Sequence, residues 1–185
     1  MDEGTQAYNR FLLGDEYGLE QLIELYKDSL IFFLIQYVKN ADIAEELTED
    51  TFVTLAVKKP HFSENARFKT WLFTIARNKA LNYLRSAAFR KCVPLEQAES
   101  LQESDCPEQR LLRQERYQAL YTAMESLAKN QREMVYLVYF EGMEVAQAAG
   151  VIRKTQRQGI NILFRARQKL KSILQEEGFE YENQS

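Results

Sequence analysis

Apolar side chains recur at helical spacing along most of the chain, and no run alternates apolar with polar residues between turn signals as a half-buried strand would. Leu19, Leu22, Ile23 and Tyr26, then Leu30, Phe33, Leu34 and Tyr37, mark helical faces after Leu12 that fit either two helices or one broken helix. Ala44, Leu47, Thr51 and Leu55, with Phe52 on the flank, mark a helix over Ile43 to Val57. Asn40–Asp42 supplies its cap, and Lys59–Pro60 stops it, because proline lacks a backbone donor and disfavours helix in the residue before it. Phe68 to Arg85 is a further helix, with Leu72, Ile75 and Leu81 as core. From Ser86 to about Gln109 the chain turns polar and acidic around Pro94 and Pro107, which reads as a linker. Helical spacing resumes over Leu111 to Leu127, Asn130 to Phe140 (core at Met134, Leu137 and Val138), Glu144 to Ala149 and Thr155 to Leu174, with turns at Glu141–Met143 and Val151–Lys154. The pattern predicts an all-α protein of two small helical domains, 1–88 and 111–175, with a flexible linker over 89–110 and an acidic tail over 176–185.

Composition agrees with helices and narrows the function classes. Only seven glycines and three prolines punctuate 185 residues. The longest apolar run, Leu30 to Ile35, is far below the roughly 20 residues of a membrane span, so no membrane insertion and a cytoplasmic site are expected. Cys92 and Cys106 form no CxxC and His61 is the sole histidine, which supports neither a zinc site nor a disulfide framework. With no Ser/His/Asp set, phosphate-binding glycine loop or metal-ligand cluster, the chain is expected not to be an enzyme and to need no cofactor, metal or small-molecule substrate.

Charge adds the decisive pattern. The net charge of −3 divides into −8 over residues 1–66, +7 over 67–91, −4 over 92–128, +6 over 129–174 and −4 beyond. Arg67, Lys69, Arg77, Lys79, Arg85, Arg90 and Lys91 follow one another with no intervening acid, and Trp71, the only tryptophan, lies among them. Cations neutralise phosphates, and rings and amides stack on or bond to unpaired bases, so this segment suits nucleic acid; Trp71 fits either core or contact. The second basic block closes a short helix, tight turn and capped basic helix, the helix-turn-helix order. With Thr155 as its cap, Gln156, Arg157, Gln158 and Asn161 fall on the turns that meet base edges in a major groove, where Gln and Asn suit adenine and Arg suits guanine. Two basic surfaces around an acidic segment suggest two contacts with one polyanion. Glu45, Glu46, Glu49 and Asp50 line one face of the helix after Asn40, as a solvated face or as a dock for a basic partner.

Taken together and in order, these segments resemble the extracytoplasmic-function group of bacterial sigma factors. Ala44-Glu-Glu-Leu-Thr-Glu-Asp-Thr-Phe52 and Phe68 to Arg85 are similar to two helices of the family's first domain. Gln131-Arg-Glu133, Tyr139-Phe-Glu-Gly142, Ala148–Ala149 and Asn161-Ile-Leu-Phe-Arg-Ala-Arg167 are similar to pieces of its second. The resemblance implies an alternative sigma factor with core RNA polymerase and promoter DNA as partners, and an anti-sigma factor as the class of inhibitor. It implies polymerase docking through Glu45, Glu46, Leu47, Glu49, Asp50 and Phe52, although Leu47 and Phe52 fit burial in their own domain equally well. It implies a loop from His61 to Arg67 that captures a flipped minus-10 base, with DNA contact from Arg67, Lys69, Trp71, Arg77, Asn78 and Lys79. For the minus-35 duplex it implies Lys154, Thr155, Gln156, Arg157, Gln158, Asn161 and Arg165.

The chain departs from the family pattern at four places. Asn82 stands where Asp is usual and Glu49 where Gln is frequent; Arg153 replaces a frequent turn glycine; and Gly159 lies inside the recognition helix, where glycine costs about 1 kcal/mol relative to alanine unless it serves a close approach, such as to the DNA backbone. Two rival readings follow: a stand-alone helix-turn-helix regulator, which leaves the acidic helix without a purpose, and a degenerate sigma homologue that sequesters partners. The linker acids Glu96, Glu99, Glu103 and Asp105 suit either a nucleic-acid mimic or a solvated segment.

Overall fold

A computed structural model of the chain describes residues 2–63, 67–92 and 123–176, and these are helical, with no strand among the described residues. They fall into two compact units, one within residues 1–106 and the other within 107–185. Leu111 to residue 122, Cys106, the linker acids and the acidic tail beyond Glu176 lie outside the described residues.

The first unit holds α1 (Glu3–Leu12), α2 (Tyr17–Val38), α3 (Ala41–Lys58) and α4 (Phe68–Cys92). The acidic amino terminus is itself a helix: Asp2 caps α1 by accepting from the Thr5 N–H at 2.7 Å, and Gly4, Ala7, Tyr8 and Phe11, at helical spacing, form its buried face. Leu12 therefore ends a helix rather than beginning one. Gly14, at φ 100°, turns the chain into α2, which runs unbroken through both apolar stretches to a left-handed Lys39. The alternative of two helices or a broken one over this segment is thus replaced by a single helix. Asn40 caps α3 through the Ile43 N–H at 2.9 Å, and Lys59, at φ 41°, ends it beside Pro60. Helix α4 continues to Cys92, past Ser86, where composition turns polar: Ser86, Ala87 and Ala88 are all compatible with helix.

Leu22, Leu30, Phe33 and Leu34 of α2 pack against Ala44, Leu55, Leu72, Phe73 and Ala76 to form this unit's core. Gly18 lets α1 and α2 cross closely, since a Cβ there would lie 2.3 Å from the Ala7 carbonyl oxygen.

The second unit begins, as described, with helical residues 123–125, followed by α5 (Lys129–Val135), a π-helical turn (Tyr136–Phe140), α6 (Val145–Val151) and α7 (Gln156–Glu176). One device recurs three times: Gln131, Gln147 and Gln158, each at the third helical position, accept from the N–H of the residue preceding their helix at 3.1, 3.2 and 3.0 Å. Each satisfies a donor that a helix start leaves without an intrahelical partner. Met134, Leu137, Ala148, Ala149, Val151, Leu163 and Ala166 fill the core.

Candidate polymerase-docking and nucleic-acid faces

Helix α3 divides cleanly around its axis. Ala44, Leu47, Thr48, Thr51, Phe52 and Leu55 face inward, while Asp42, Glu46, Glu49 and Val53, four and three residues apart, lie on the opposite side with Asp50 and Val57. Leu47 and Phe52, open between docking and their own core, are both buried in this unit. By contrast, Val53 and Val57 are 55% and 76% exposed. The outward face is therefore an apolar centre rimmed by carboxylates rather than acids alone, the arrangement of an interface anchor with a charged surround. Period-reading alone missed Val53 and Val57 because two valines in a helix are ordinarily core; their phase, in step with Glu46 and Glu49, was the available signal.

Helix α4 also redistributes the predicted residues. Its buried arc is wide, taking in Phe68, Leu72, Phe73, Ala76 and Ala80, and it includes Arg77, only 7% exposed. Ile75, expected in the core, is half-buried. Lys69 sits 5.8 Å above the Phe73 ring, and Lys79 reaches back across the helix pair to Asp50 at 3.7 Å. The solvent stripe instead holds Arg67, Trp71, Asn78, Asn82 and Arg85, one helical face of cations, amides and an indole with no carboxylate. Asn82, the residue in place of the usual Asp, lies on this stripe and spares it a negative charge.

The approach to α4 is pinned by an aromatic cluster. The rings of Tyr8, Phe62, Phe68 and Trp71 lie 5.2 to 5.6 Å apart in tilted or edge contacts. Tyr8 is fully buried and its hydroxyl donates to the Pro60 carbonyl at 2.7 Å. Burial of the phenol raises its pKa from 10.0 to about 12, so the hydroxyl stays protonated and remains a donor. Trp71, left open between core and contact, joins the cluster with its ring while part of it stays accessible. His61 and Ser63 are exposed beside the buried Phe62, and residues 64–66 of the expected capture loop lie outside the described residues.

In the second unit all seven predicted minus-35 residues, Lys154, Thr155, Gln156, Arg157, Gln158, Asn161 and Arg165, are exposed. Thr155 and Gln158 also shape the helix start: the Thr155 hydroxyl accepts from the Gln158 N–H at 3.3 Å, and the Gln158 side chain accepts from the Thr155 N–H. Arg153 adopts φ 57°, the left-handed turn that glycine makes without steric cost. Gly159 faces inward, where a Cβ would lie 2.8 Å from Ala149 Cβ and 3.3 Å from Met134 Cε. It serves the crossing of α6 and α7, which corrects the suggestion of a close approach to the DNA backbone. Ile160 and Phe164, 51% and 61% exposed, share the open face with Arg157 and Asn161. Farther along, Arg167 lies 5.4 Å over the Tyr139 ring and donates to its hydroxyl.

No group of metal-ligating side chains and no helix long and apolar enough to cross a membrane occurs among the described residues. The first unit contains residues 22–90, which match the family model for Sigma-70 region 2, and the second contains residues 117–170, which match that for Sigma-70, region 4. The chain is 25% identical over 183 residues to the RNA polymerase sigma-H factor of Pseudomonas aeruginosa, covering 94% of this chain and 95% of that one. It is 26% identical over 157 residues to the ECF RNA polymerase sigma factor SigM of Bacillus subtilis, covering 84% and 94%. Among solved structures, the sigma factor RpoE of Bartonella quintana, in complex with the anti-sigma factor NepR, superposes with a TM-score of 0.64 at 25% identity, covering 84% of this chain and 96% of that one. With both regions matched in order and the same two-unit helical fold, the chain belongs to the extracytoplasmic-function group of sigma-70 factors of bacterial RNA polymerase.

Proposed function

We propose that this sigma factor directs transcription initiation through three faces on two units. The acid-rimmed Val53–Val57 face of α3 docks on a basic surface of core RNA polymerase. The Arg67–Trp71–Asn78–Asn82–Arg85 stripe of α4 holds the opened minus-10 strand, cations meeting phosphates and the indole and amides meeting unpaired bases. The start of α7 reads minus-35 duplex DNA through Gln156, Arg157 and Asn161, with Lys154 and Arg165 on flanking phosphates and Ile160 and Phe164 against thymine methyl groups. Helices α3 and α4 then hold polymerase and melted strand at a fixed separation, so that docking delivers the strand-binding stripe to the site of opening.

The observation that carries this reading is the sorting of charge between neighbouring helices: α3 presents acids around two exposed valines, and α4 presents cations and amides without an acid. A stand-alone duplex-binding regulator has no use for the first of these faces. The degenerate-homologue reading rested on Gly159 and Arg153, and Gly159 fits a role in packing within the unit. By likeness to the RpoE–NepR complex, an anti-sigma factor that covers one or more of these faces is part of the proposal, as is a place in the cytoplasm beside the polymerase. The test is equilibrium binding of the full chain to purified core polymerase and, separately, to promoter duplex. Tight core binding with weak duplex binding is expected; tight duplex binding without core binding overturns the proposal.

A further inference from the structure

Helix α1 lies ahead of the span matched to region 2, yet it is built into the minus-10 side of the first unit. Glycines seat it on two sides: a Cβ at Gly4 would lie 2.5 Å from the Tyr26 hydroxyl and 2.7 Å from Phe68 Cδ1, and Gly18 of α2 closes on Ala7 and Phe11. From this seat α1 holds the segment leaving α3 at successive points. Lys59 sits 4.8 Å over the Phe11 ring, the Pro60 carbonyl takes the Tyr8 hydroxyl, and Phe62 stacks into the cluster that Tyr8 shares with Phe68 and Trp71. Tyr8 touches both sides of the strand-binding region: the backbone at the start of the segment and the indole on the α4 stripe.

We propose that Tyr8 is a positioning residue for capture of the opened minus-10 strand. Its hydroxyl fixes the path of the chain at Pro60, and its ring fixes the plane that Trp71 offers to a base. Pro60 lies past the end of α3 and is followed by the exposed His61, so its carbonyl can take a side-chain donor without competing with helix hydrogen bonds. A hydrogen bond to it sets orientation, while the apolar contacts that keep the unit folded come from the ring. This inference rests on the reading of α4 as the strand-binding face.

The discriminating variant is Tyr8→Phe, which keeps the ring and deletes only the hydroxyl, with Tyr8→Leu to remove the ring contacts as well. Each is assembled with core polymerase in the full chain and titrated with a fluorescently labelled single strand carrying the minus-10 sequence of a promoter the protein transcribes. In the free chain, where Trp71 is the only tryptophan, its emission reports its own surroundings. The expected result for Tyr8→Phe is core affinity within twofold of wild type, strand affinity lower by about five- to tenfold, and a shift in Trp71 emission; Tyr8→Leu loses more strand affinity. Such a split between core and strand binding is not what a general loss of folding produces. Equal strand affinity for wild type and Tyr8→Phe overturns the inference and leaves the strand-binding reading intact, whereas a wild-type holoenzyme that fails to hold the strand overturns both.

Discussion

The two units divide labour between core and surface differently. In the second, α7 buries one stripe, Gly159, Leu163, Ala166 and Leu174, and every residue expected to meet DNA stands clear of it. In the first, α4 packs against α1, α2 and α3, and its buried arc is wide enough to take in a cation of the basic run, Arg77. A helix that buries one narrow stripe lets sequence phase separate core from surface; a helix whose buried arc is wide does not, because burial is then decided by packing partners far away in sequence. Function follows the same contrast. In the second unit the exposed residues at the start of α7 stand apart from its core, whereas the first makes its faces interdependent by mounting them on adjoining helices.

The largest effect that sharpens this contrast is expected at the α3 face. Reversing Glu46 and Asp50 together to Lys turns the rim against a basic partner and should weaken core binding by about 100-fold or more, roughly 3 kcal/mol, with thermal stability nearly unchanged because both side chains are exposed. Isothermal titration with core polymerase checks the first part and calorimetry of the free protein the second. In the second unit, Gly159→Ala should destabilise by about 1–3 kcal/mol: the added methyl overlaps Ala149 by more than the gain in helix propensity offsets. A variant with raised melting temperature would break the packing account of this glycine.

A similar loss, about 1–3 kcal/mol, is expected in minus-35 duplex affinity for Arg157→Ala, without change in folding, since its side chain projects from the free face of α7. Competition binding with single-base variants of the element would show relaxed discrimination at one position. A smaller effect concerns pH. Because the Tyr8 phenol titrates near 12 in the folded unit against 10.0 in the unfolded chain, its contribution is fully present below pH 10 and falls as pH rises toward 12. Denaturant titrations of wild type and Tyr8→Phe should therefore diverge less at the top of that window than at its foot. The smallest effect belongs to Asp50 and Lys79, an exposed pair at 3.7 Å whose coupling in a double-mutant cycle should be about 0.2–1 kcal/mol.

The sequence was most legible where chemistry is local. The Asn40 and Thr155 caps, the stop at Lys59–Pro60 and the turn before α7 follow from backbone needs met by neighbouring side chains. So do the acidic phase of α3 and the exposed phase of α7. What depended on distant contacts was not legible. Tyr8 falls in helical phase with Ala7 and Phe11, but only the folded unit brings it and Phe62 to Trp71. The meaning of Gly159 depends on Ala149 and Met134, ten and twenty-five residues away in the chain. Arg77 reads as one more cation in a basic run until α4 is packed.

Promoter-dependent transcription tests the central claim most directly: purified core polymerase on a pool of genomic promoters from the source organism, with and without this protein. The account predicts new transcripts that share two upstream elements, lost when Glu46 and Asp50 are reversed. Core binding without new transcripts, or transcripts that survive the reversal, would contradict it.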